Sequence, residues 1–150
     1  MTKTQQHESR FRVRSYELDP YDHLNNGAYI NWYEDARELF LREQERTWMW
    51  YPDELGTHFV VVNIACDYRA PAFAGESLVL RTRLAKIGTR SVVFRQSLRR
   101  DDGKVLCRAR VVMCFAQDNV SVEVPNDFRE HFAASPEGDV WTADEGGERA

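Results

Sequence analysis

The sequence has no surplus of positive charge and no long hydrophobic run. Lysine and arginine together number 20 against 24 aspartate and glutamate residues, and the net charge is −4. A general nucleic-acid-binding protein needs a basic surface, so this class is disfavoured. No apolar run approaches the ~20 residues that a membrane helix needs. The polar N-terminus lacks the apolar segment of a secretory signal. We therefore expect a soluble, cytoplasmic protein with neither a nucleic-acid nor a membrane partner.

Cysteine is scarce as well. The three cysteines, Cys66, Cys107 and Cys114, are odd in number and lie in apolar runs, which is typical of reduced thiols in an intracellular protein. Their spacing is not that of a zinc site, and His7 and His131 lie near the polar ends of the chain. We expect no structural metal.

The length and composition favour one globular domain. The chain has 150 residues, of which 43% are hydrophobic, enough to bury a core. Residues 1–8 are polar and expected to be flexible, and residues 9–133 are expected to form the domain. Residues 134–150 are acidic and glycine-rich, so we expect a mobile, disordered tail. Within that tail, Trp141 is the residue able to dock.

Hydrophobic periodicity predicts a strand, one long helix and then further strands. The apolar positions Tyr29, Trp32, Tyr33, Ala36 and Phe40 recur at three- and four-residue spacing, which is typical of one face of a helix. The helix is predicted over residues 26–46. The strands are predicted over residues 11–18, 59–68, 78–87, 91–99 and 105–117, with a short strand or turn at 120–124.

The later strands alternate between apolar residues and arginines. This alternation predicts an antiparallel sheet with one apolar and one polar face. The predicted helix is the one long helix in the chain, so it must cover the apolar face. The fold class is therefore α+β, with the sheet packed on a single helix.

A run of polar residues precedes the helix. Asp19 stands before Pro20, and the segment Asn25-Asn26-Gly27 begins the helical pattern. Asparagine accepts hydrogen bonds from the free N–H groups of a first helical turn, and these groups lie at the positive end of the helix dipole. A carboxylate can attack a carbonyl or activate water, while the helix end holds the resulting oxyanion. Taken alone, Asp19 is also compatible with a simple turn residue.

These residues resemble the opening motif of the hotdog-fold thioesterases of the 4-hydroxybenzoyl-CoA thioesterase and acyl-CoA thioesterase family. The resemblance covers roughly residues 10–132. It also includes Tyr29, the helix segment 34–37, the strand ending 67–72 with Gly75-Glu76, and the later pairs Asp102-Gly103 and Val124-Pro125. At Asp22 the sequence departs from the family, which often has glycine there.

The resemblance implies a hotdog fold, in which a five-stranded antiparallel sheet wraps around one long central helix. It implies hydrolysis of a thioester to a carboxylic acid and free coenzyme A, without a cofactor, by a homodimer or homotetramer whose site lies between subunits. Asp19 would act as nucleophile or general base. His23 would position the carboxylate or water, or bond the thioester. Asn26 and Gly27 would hold the oxyanion.

The resemblance also places substrate contacts. A second oxyanion donor would come from the loop near His58, across a dimer interface. Lys86, Thr89 and Arg90, at the turn after the third strand, would contact coenzyme A phosphates, although an arginine-rich turn is often simply solvated. Asn25 and Tyr29 would complete the substrate site. The aromatic cluster at 48–51 would cover the acyl end or seal a subunit contact. The helical Arg37 is interpreted as a structural ion pair.

Three alternatives to an acyl-CoA thioesterase stay open. The first keeps the chemistry but takes an acyl-carrier-protein thioester. The second is a hotdog dehydratase or hydratase, whose histidine and carboxylate lie in a different motif. The third is a non-catalytic acyl-CoA-binding hotdog protein, against which Asp19 argues.

Overall fold

The computed structural model describes residues 2–147. The strands are β1 (Gln6–Arg12), β2 (His58–Tyr68), β3 (Ser77–Ile87), β4 (Ser91–Arg99), β5 (Val105–Gln117) and β6 (Val120–Val122). The helices are α1 (Asn26–Arg42), α2 (Trp50–Leu55) and α3 (Asn126–His131), with short 3₁₀ turns at Ser15–Glu17 and Ala143–Glu145. No helix in this part of the chain is long and apolar enough to cross a membrane.

The strands form one antiparallel sheet. Its main order is β1-β3-β4-β5-β2, and the short β6 pairs with β5 as a sixth strand. The turn between β4 and β5 contains Gly103 at φ +93°, a left-handed conformation that glycine adopts without steric cost. The observed bounds of β4 and β5 agree with the prediction. The expected α+β fold, an antiparallel sheet around one long helix, is confirmed.

The core lies between α1 and the apolar face of the sheet. Tyr33, Ala36 and Phe40 of α1 are fully buried, as their helical spacing predicts. The Phe40 ring meets Phe94 of β4 edge to face, with centroids 5.2 Å apart. It also stacks on Phe132 at 5.3 Å. These contacts fix the position of α1, and therefore of its N-terminus, against the sheet.

The beginning of the chain differs from the prediction. β1 spans Gln6–Arg12 rather than residues 11–18, and Thr4 donates its N–H to the His131 carbonyl. Residues 2–8 are therefore not simply flexible. Met1 lies outside the described residues. The strand is mostly polar and lies at the sheet edge beside β3, so its backbone pairing leaves little hydrophobic signal. The segment after it is a loop with a 3₁₀ turn.

Two further differences concern helices. The helix α1 ends at Arg42 instead of residue 46, and the expected loop at 48–57 contains α2. In addition, Arg37 is not part of an ion pair within residues 2–147; it is buried and donates to the Gln96 side chain at 2.9 Å. The amide of Gln96 in turn donates to the Tyr33 carbonyl. A hydrogen bond from the charged guanidinium to a neutral amide therefore replaces the expected ion pair.

Residues 134–147 pack across the outer face of the sheet, and we call them the C-terminal strap. The expectation of a mobile tail is wrong for this segment, while residues 148–150 lie outside the described residues. Trp141 lies over the guanidinium of Arg95 at 4.0 Å, a favourable cation–π geometry. The strap carboxylates pair with arginines of the strands: Glu137 and Asp144 with Arg81, Asp139 with Arg95 and Arg110, and Glu145 with Arg83.

The deepest of these pairs joins Glu145 and Arg83. Their side chains are 1% and 0% exposed, and the closest N–O distance is 2.9 Å. Glu145 also accepts hydrogen bonds from the N–H and hydroxyl of Thr142. Arg83 further donates to the carbonyls of Gly138 and Val140. The composition of the strap suggested disorder, because composition does not show that the arginines of the sheet can pair with the strap carboxylates.

We expect Glu145→Ala to lower the free energy of unfolding by about 3–5 kcal/mol, because it leaves the buried Arg83 charge without its partner. Asp144→Ala is the matched control. Asp144 is 68% exposed and pairs with Arg81, so its loss should cost less than about 1 kcal/mol. Urea unfolding measures both. Equal midpoints for the two variants would show that the strap contributes no buried ion pair.

Candidate active site

Asp19 is held in the loop before α1 by backbone hydrogen bonds. Its N–H donates to the His23 carbonyl at 2.7 Å. Its Oδ1 accepts from the N–H groups of Tyr21 at 2.9 Å and His23 at 3.0 Å. Within residues 2–147, Oδ2 accepts no hydrogen bond. One carboxylate oxygen therefore maintains the turn while the other is available to react.

The turn requires an unusual backbone conformation at Asp22, whose φ is +62°. Glycine adopts this left-handed region without steric cost, and aspartate tolerates it better than most residues do. The departure at Asp22 from the glycine often found in the family therefore has a physical basis. The position demands a positive φ, and aspartate still meets that demand.

The N-terminus of α1 is capped by Asn25. Its Oδ1 accepts from the N–H of Gly27 at 2.8 Å, and its carbonyl accepts from the N–H of Ala28 at 2.9 Å. The expected cap is therefore present. The Gly27 amide, which we expected to hold an oxyanion, is already engaged by this cap. Within the described residues the Asn26 amide has no acceptor, so it is the free donor at the helix end.

A cavity of ≈ 310 Å³ lies between this loop, the start of α1 and the end of β2. Four of its residues were expected in the site: Asp19, His23, Asn26 and Tyr29. The other lining residues are Leu24, Tyr68, Arg69, Ala70 and Pro71. The sequence analysis used the segment 67–72 as a family motif but gave it no role in the site. In the sequence, this segment was recognisable as a strand that ends before Pro71. That pattern did not show that the strand end lies beside Asp19.

Two tyrosines form one wall of the cavity. The rings of Tyr29 and Tyr68 meet edge to face at 5.1 Å, and the Tyr68 hydroxyl donates to the Asn26 carbonyl at 3.3 Å. Burial raises the pKa of each phenol to about 12. Both hydroxyls therefore stay neutral at physiological pH and keep their protons for donation.

His23 reaches Asp19 through its backbone and not through its ring. The imidazole packs edge to face on Phe73 with centroids 5.3 Å apart. Within residues 2–147 the ring makes no hydrogen bond, so its nitrogens are available in the cavity. Within the same residues, no cluster of three or more histidine, cysteine, aspartate or glutamate side chains could hold a metal ion.

The remaining expected residues lie elsewhere in the chain. His58 begins β2 and Tyr68 ends it, so they are about 33 Å apart along the strand. Lys86, Thr89 and Arg90 lie at the same far end of the sheet. Ser91, which follows this turn, pairs with Cys114 of β5, whereas Tyr68 pairs with Cys107 of the same strand. Arg90 of the turn donates to the Ser121 carbonyl at 2.8 Å. A single chain therefore does not bring these residues to the Asp19 cavity.

We expect Asp22→Gly to keep the free energy of unfolding within about 1 kcal/mol, because glycine relieves the positive φ but adds entropy to the unfolded chain. Asp22→Val is the matched contrast. A β-branched side chain in this region should lose about 1–2 kcal/mol. Thermal or urea unfolding compares the two. If valine were tolerated as well as glycine, the left-handed geometry would be wrong.

Comparisons with known proteins show the family and the fold of the chain. The profile of the thioesterase-like superfamily matches residues 13–132. The chain is 31% identical over 105 residues to the long-chain acyl-CoA thioesterase FadM of Escherichia coli, covering 69% of this chain and 78% of that protein. A hypothetical protein from Aquifex aeolicus superposes with a TM-score of 0.79 at 23% identity, covering 85% and 99% of the two chains. For 4-hydroxybenzoyl-CoA thioesterase from Pseudomonas the TM-score is 0.76 at 20% identity, covering 84% and 98%.

At these identities the two structures show a shared fold, whereas the profile match over most of the chain and the FadM similarity show the family. The resemblance inferred from the motif around Asp19 is confirmed. This chain belongs to the thioesterase-like superfamily and is a thioester hydrolase with the hotdog fold.

Proposed function

We propose that this protein hydrolyses an acyl-CoA thioester to a carboxylic acid and free coenzyme A, with Asp19 as nucleophile or general base. One observation carries the proposal. Asp19, whose Oδ2 accepts no hydrogen bond within residues 2–147, lines the same cavity as Asn26, whose amide is the free donor of the helix end. The activity of the related FadM, a long-chain acyl-CoA thioesterase, supports the coenzyme A carrier.

Both versions of the chemistry use the same two groups. In direct attack, Oδ2 bonds to the thioester carbon, the coenzyme A thiolate leaves and takes a proton, and water cleaves the resulting anhydride. In general-base catalysis, Oδ2 takes a proton from water as the hydroxide attacks the same carbon; the tetrahedral intermediate then expels the coenzyme A thiolate, which takes that proton. Each route forms a tetrahedral oxyanion. The Asn26 amide, at the positive end of the α1 dipole, stabilises that charge.

The tyrosine wall and His23 have supporting roles. Neutral Tyr29 bounds the space beside Asn26, and Asn25 keeps the helix end in place through its cap. His23 lines the cavity, and its imidazole makes no hydrogen bond within residues 2–147, so it is available to orient water or the thioester oxygen. The mechanism requires no cofactor.

We further propose that the working enzyme is a homodimer, itself able to pair into a tetramer. β2 is an edge strand of the sheet, and Val60, Val61 and Val62 on it are exposed. Exposed apolar edge strands are prone to pair with another chain. Antiparallel pairing of two β2 strands about a twofold axis brings the His58 end of one chain toward the Tyr68 end of the other. The partner would thereby supply the second oxyanion donor and the turn containing Lys86, Thr89 and Arg90.

We expect Asp19→Asn to lower kcat by at least about a hundredfold, the scale of removing one essential catalytic group. The asparagine Oδ1 still accepts from the Tyr21 and His23 amides, so the turn should persist. Release of the coenzyme A thiol from a panel of aryl- and acyl-CoA thioesters measures the rate.

Asp22→Asn is the matched control for Asp19→Asn. Asp22 is an exposed carboxylate three residues away, and its variant should retain activity within about twofold if its charge has no role in the chemistry. The mechanism is wrong if Asp19→Asn is as fast as wild type. The function is wrong if wild type cleaves no thioester in the panel.

Replacing Val61 and Val62 by lysine should produce a monomer, because charged side chains on an edge strand block pairing between chains. Hydrolysis should fall with it, by about a hundredfold if the partner supplies an oxyanion donor. Val120→Lys is the control, since Val120 is 64% exposed and lies on β6. Sedimentation velocity and the thiol assay report the two effects. A fully active monomer would contradict the shared site.

A further inference from the structure

Arg69 is the arginine of the cavity, and its charge is not neutralised within the described residues. It follows β2 directly, and its side chain is exposed at the cavity that contains Asp19. Its Nη1 donates to the carbonyl of Gly146 at 2.6 Å. Among residues 2–147 its guanidinium has no other acceptor and no carboxylate partner. The remaining N–H groups are therefore free to bind a ligand.

The contact with Gly146 differs in kind from the contacts of neighbouring arginines. Arg100, which donates to the carbonyl of the cavity residue Pro71, is paired with Glu76 at 2.7 Å. Arg108 is paired with Asp67 at 3.0 Å and also donates to the Gly146 carbonyl. A carboxylate neutralises a guanidinium, whereas a carbonyl orients it and leaves the net charge available. Because Arg69 is already oriented, its side chain loses less conformational entropy when a ligand binds.

We propose that Arg69 binds an oxyanion of the substrate at the Asp19 cavity, and that the C-terminal strap positions Arg69 for this purpose through Gly146. The inference rests on the proposed thioester hydrolysis. The oxyanion is either a phosphate of the coenzyme A carrier or a carboxylate on the acyl group. Guanidinium suits both, since its paired N–H groups match the oxygens of either ion.

Gly146 offers a way to move Arg69 without changing it. Its φ is +70°, and a Cβ added there would lie 2.9 Å from Arg69 Nη1. Because that atom is the end of a flexible side chain, the arginine would be displaced. Gly138 lies in the same strap with φ +69°, and a Cβ there would meet nothing within 4 Å. An alanine at either position would strain the backbone. Only the alanine at position 146 would also displace Arg69.

Arg69→Ala tests the binding role. With adipoyl-CoA, which carries both candidate anions, we expect KM to rise about tenfold, the scale of one lost charged hydrogen bond, while kcat stays within about twofold. Arg69→Lys should recover part of the loss, because it keeps the charge but not the fork geometry. A purely structural role would instead change the unfolding midpoint, and lysine would give no kinetic recovery.

Substrates without phosphate distinguish the two sources of the anion. If Arg69 binds a carrier phosphate, Arg69→Ala should leave KM unchanged for the same acyl group on pantetheine. If it binds an acyl carboxylate, the loss should appear with adipoyl-pantetheine and not with hexanoyl-pantetheine. Equal KM values for wild type and Arg69→Ala with every substrate would overturn the proposal.

Gly146→Ala tests the positioning role. It should raise KM for the Arg69-dependent substrate by about threefold, the scale of freeing one ordered side chain, whereas Gly138→Ala should match wild type in KM. Both should lose similar stability in urea, since both place alanine at a positive φ. Equal KM values for the two variants would show that the strap does not position Arg69.

Calorimetry separates failure of this inference from failure of the proposed function. Wild type should bind adipoyl-pantetheine or coenzyme A itself more tightly than Arg69→Ala does, even if it hydrolyses no thioester. If wild type cleaves thioesters but binds both probes no better than the variant does, the hydrolase stands and the role of Arg69 is overturned.

Discussion

Burial of one face of α1 against the sheet is the constraint on which the candidate site depends. The helix is held by aromatic contacts such as that between Phe40 and Phe94, far from its exposed N-terminus. The apolar area that α1 removes from water stabilises its position. The N-terminus of the helix therefore needs no bonds of its own to keep that position. Its first amides can then remain without helical partners. The stability of the core and the free amide at the helix end are thus properties of the same element.

The loop before α1 depends on that anchored helix. Asn25 joins the loop to the first turn by its cap, and Asp19 closes the loop with backbone hydrogen bonds to one of its carboxylate oxygens. The positive φ of Asp22 is the conformational cost of so tight a turn. The loop therefore fixes a carboxylate beside a helix N-terminus by local bonds, as preorganised electrostatic catalysis requires.

The two faces of the sheet have different roles, and the end of the chain connects them. The arginines on the outer face would be costly to bury alone, and the strap carboxylates compensate them. Within the strap, the carbonyl of Gly146 contacts both Arg108 on that face and Arg69 at the cavity. The segment that neutralises the arginines of the outer face thereby also contacts Arg69 at the candidate site.

The elements that could be predicted from the sequence were those specified by residues close together in the chain. The bounds of β4 and β5 were predicted because their alternation is strong and a glycine-containing turn separates them. The start of α1 was predicted because asparagine caps are local chemistry. β1 was misplaced because an edge strand of polar residues carries little hydrophobic signal, and Arg37 was assigned an ion pair because the buried amide of Gln96 lies on a distant strand.

The sequence by itself determined the fold class, the apolar face of the sheet, an asparagine cap at the helix start and the nearness of Asp19 to that start. These follow from spacing within a few residues, where backbone geometry decides which way side chains point. Only the tertiary structure decided that Tyr68 and Arg69 line the Asp19 cavity and that an acidic segment binds the arginine face. Such contacts join residues distant in sequence, and packing of the whole chain selects them, because no local pattern records which distant surfaces meet.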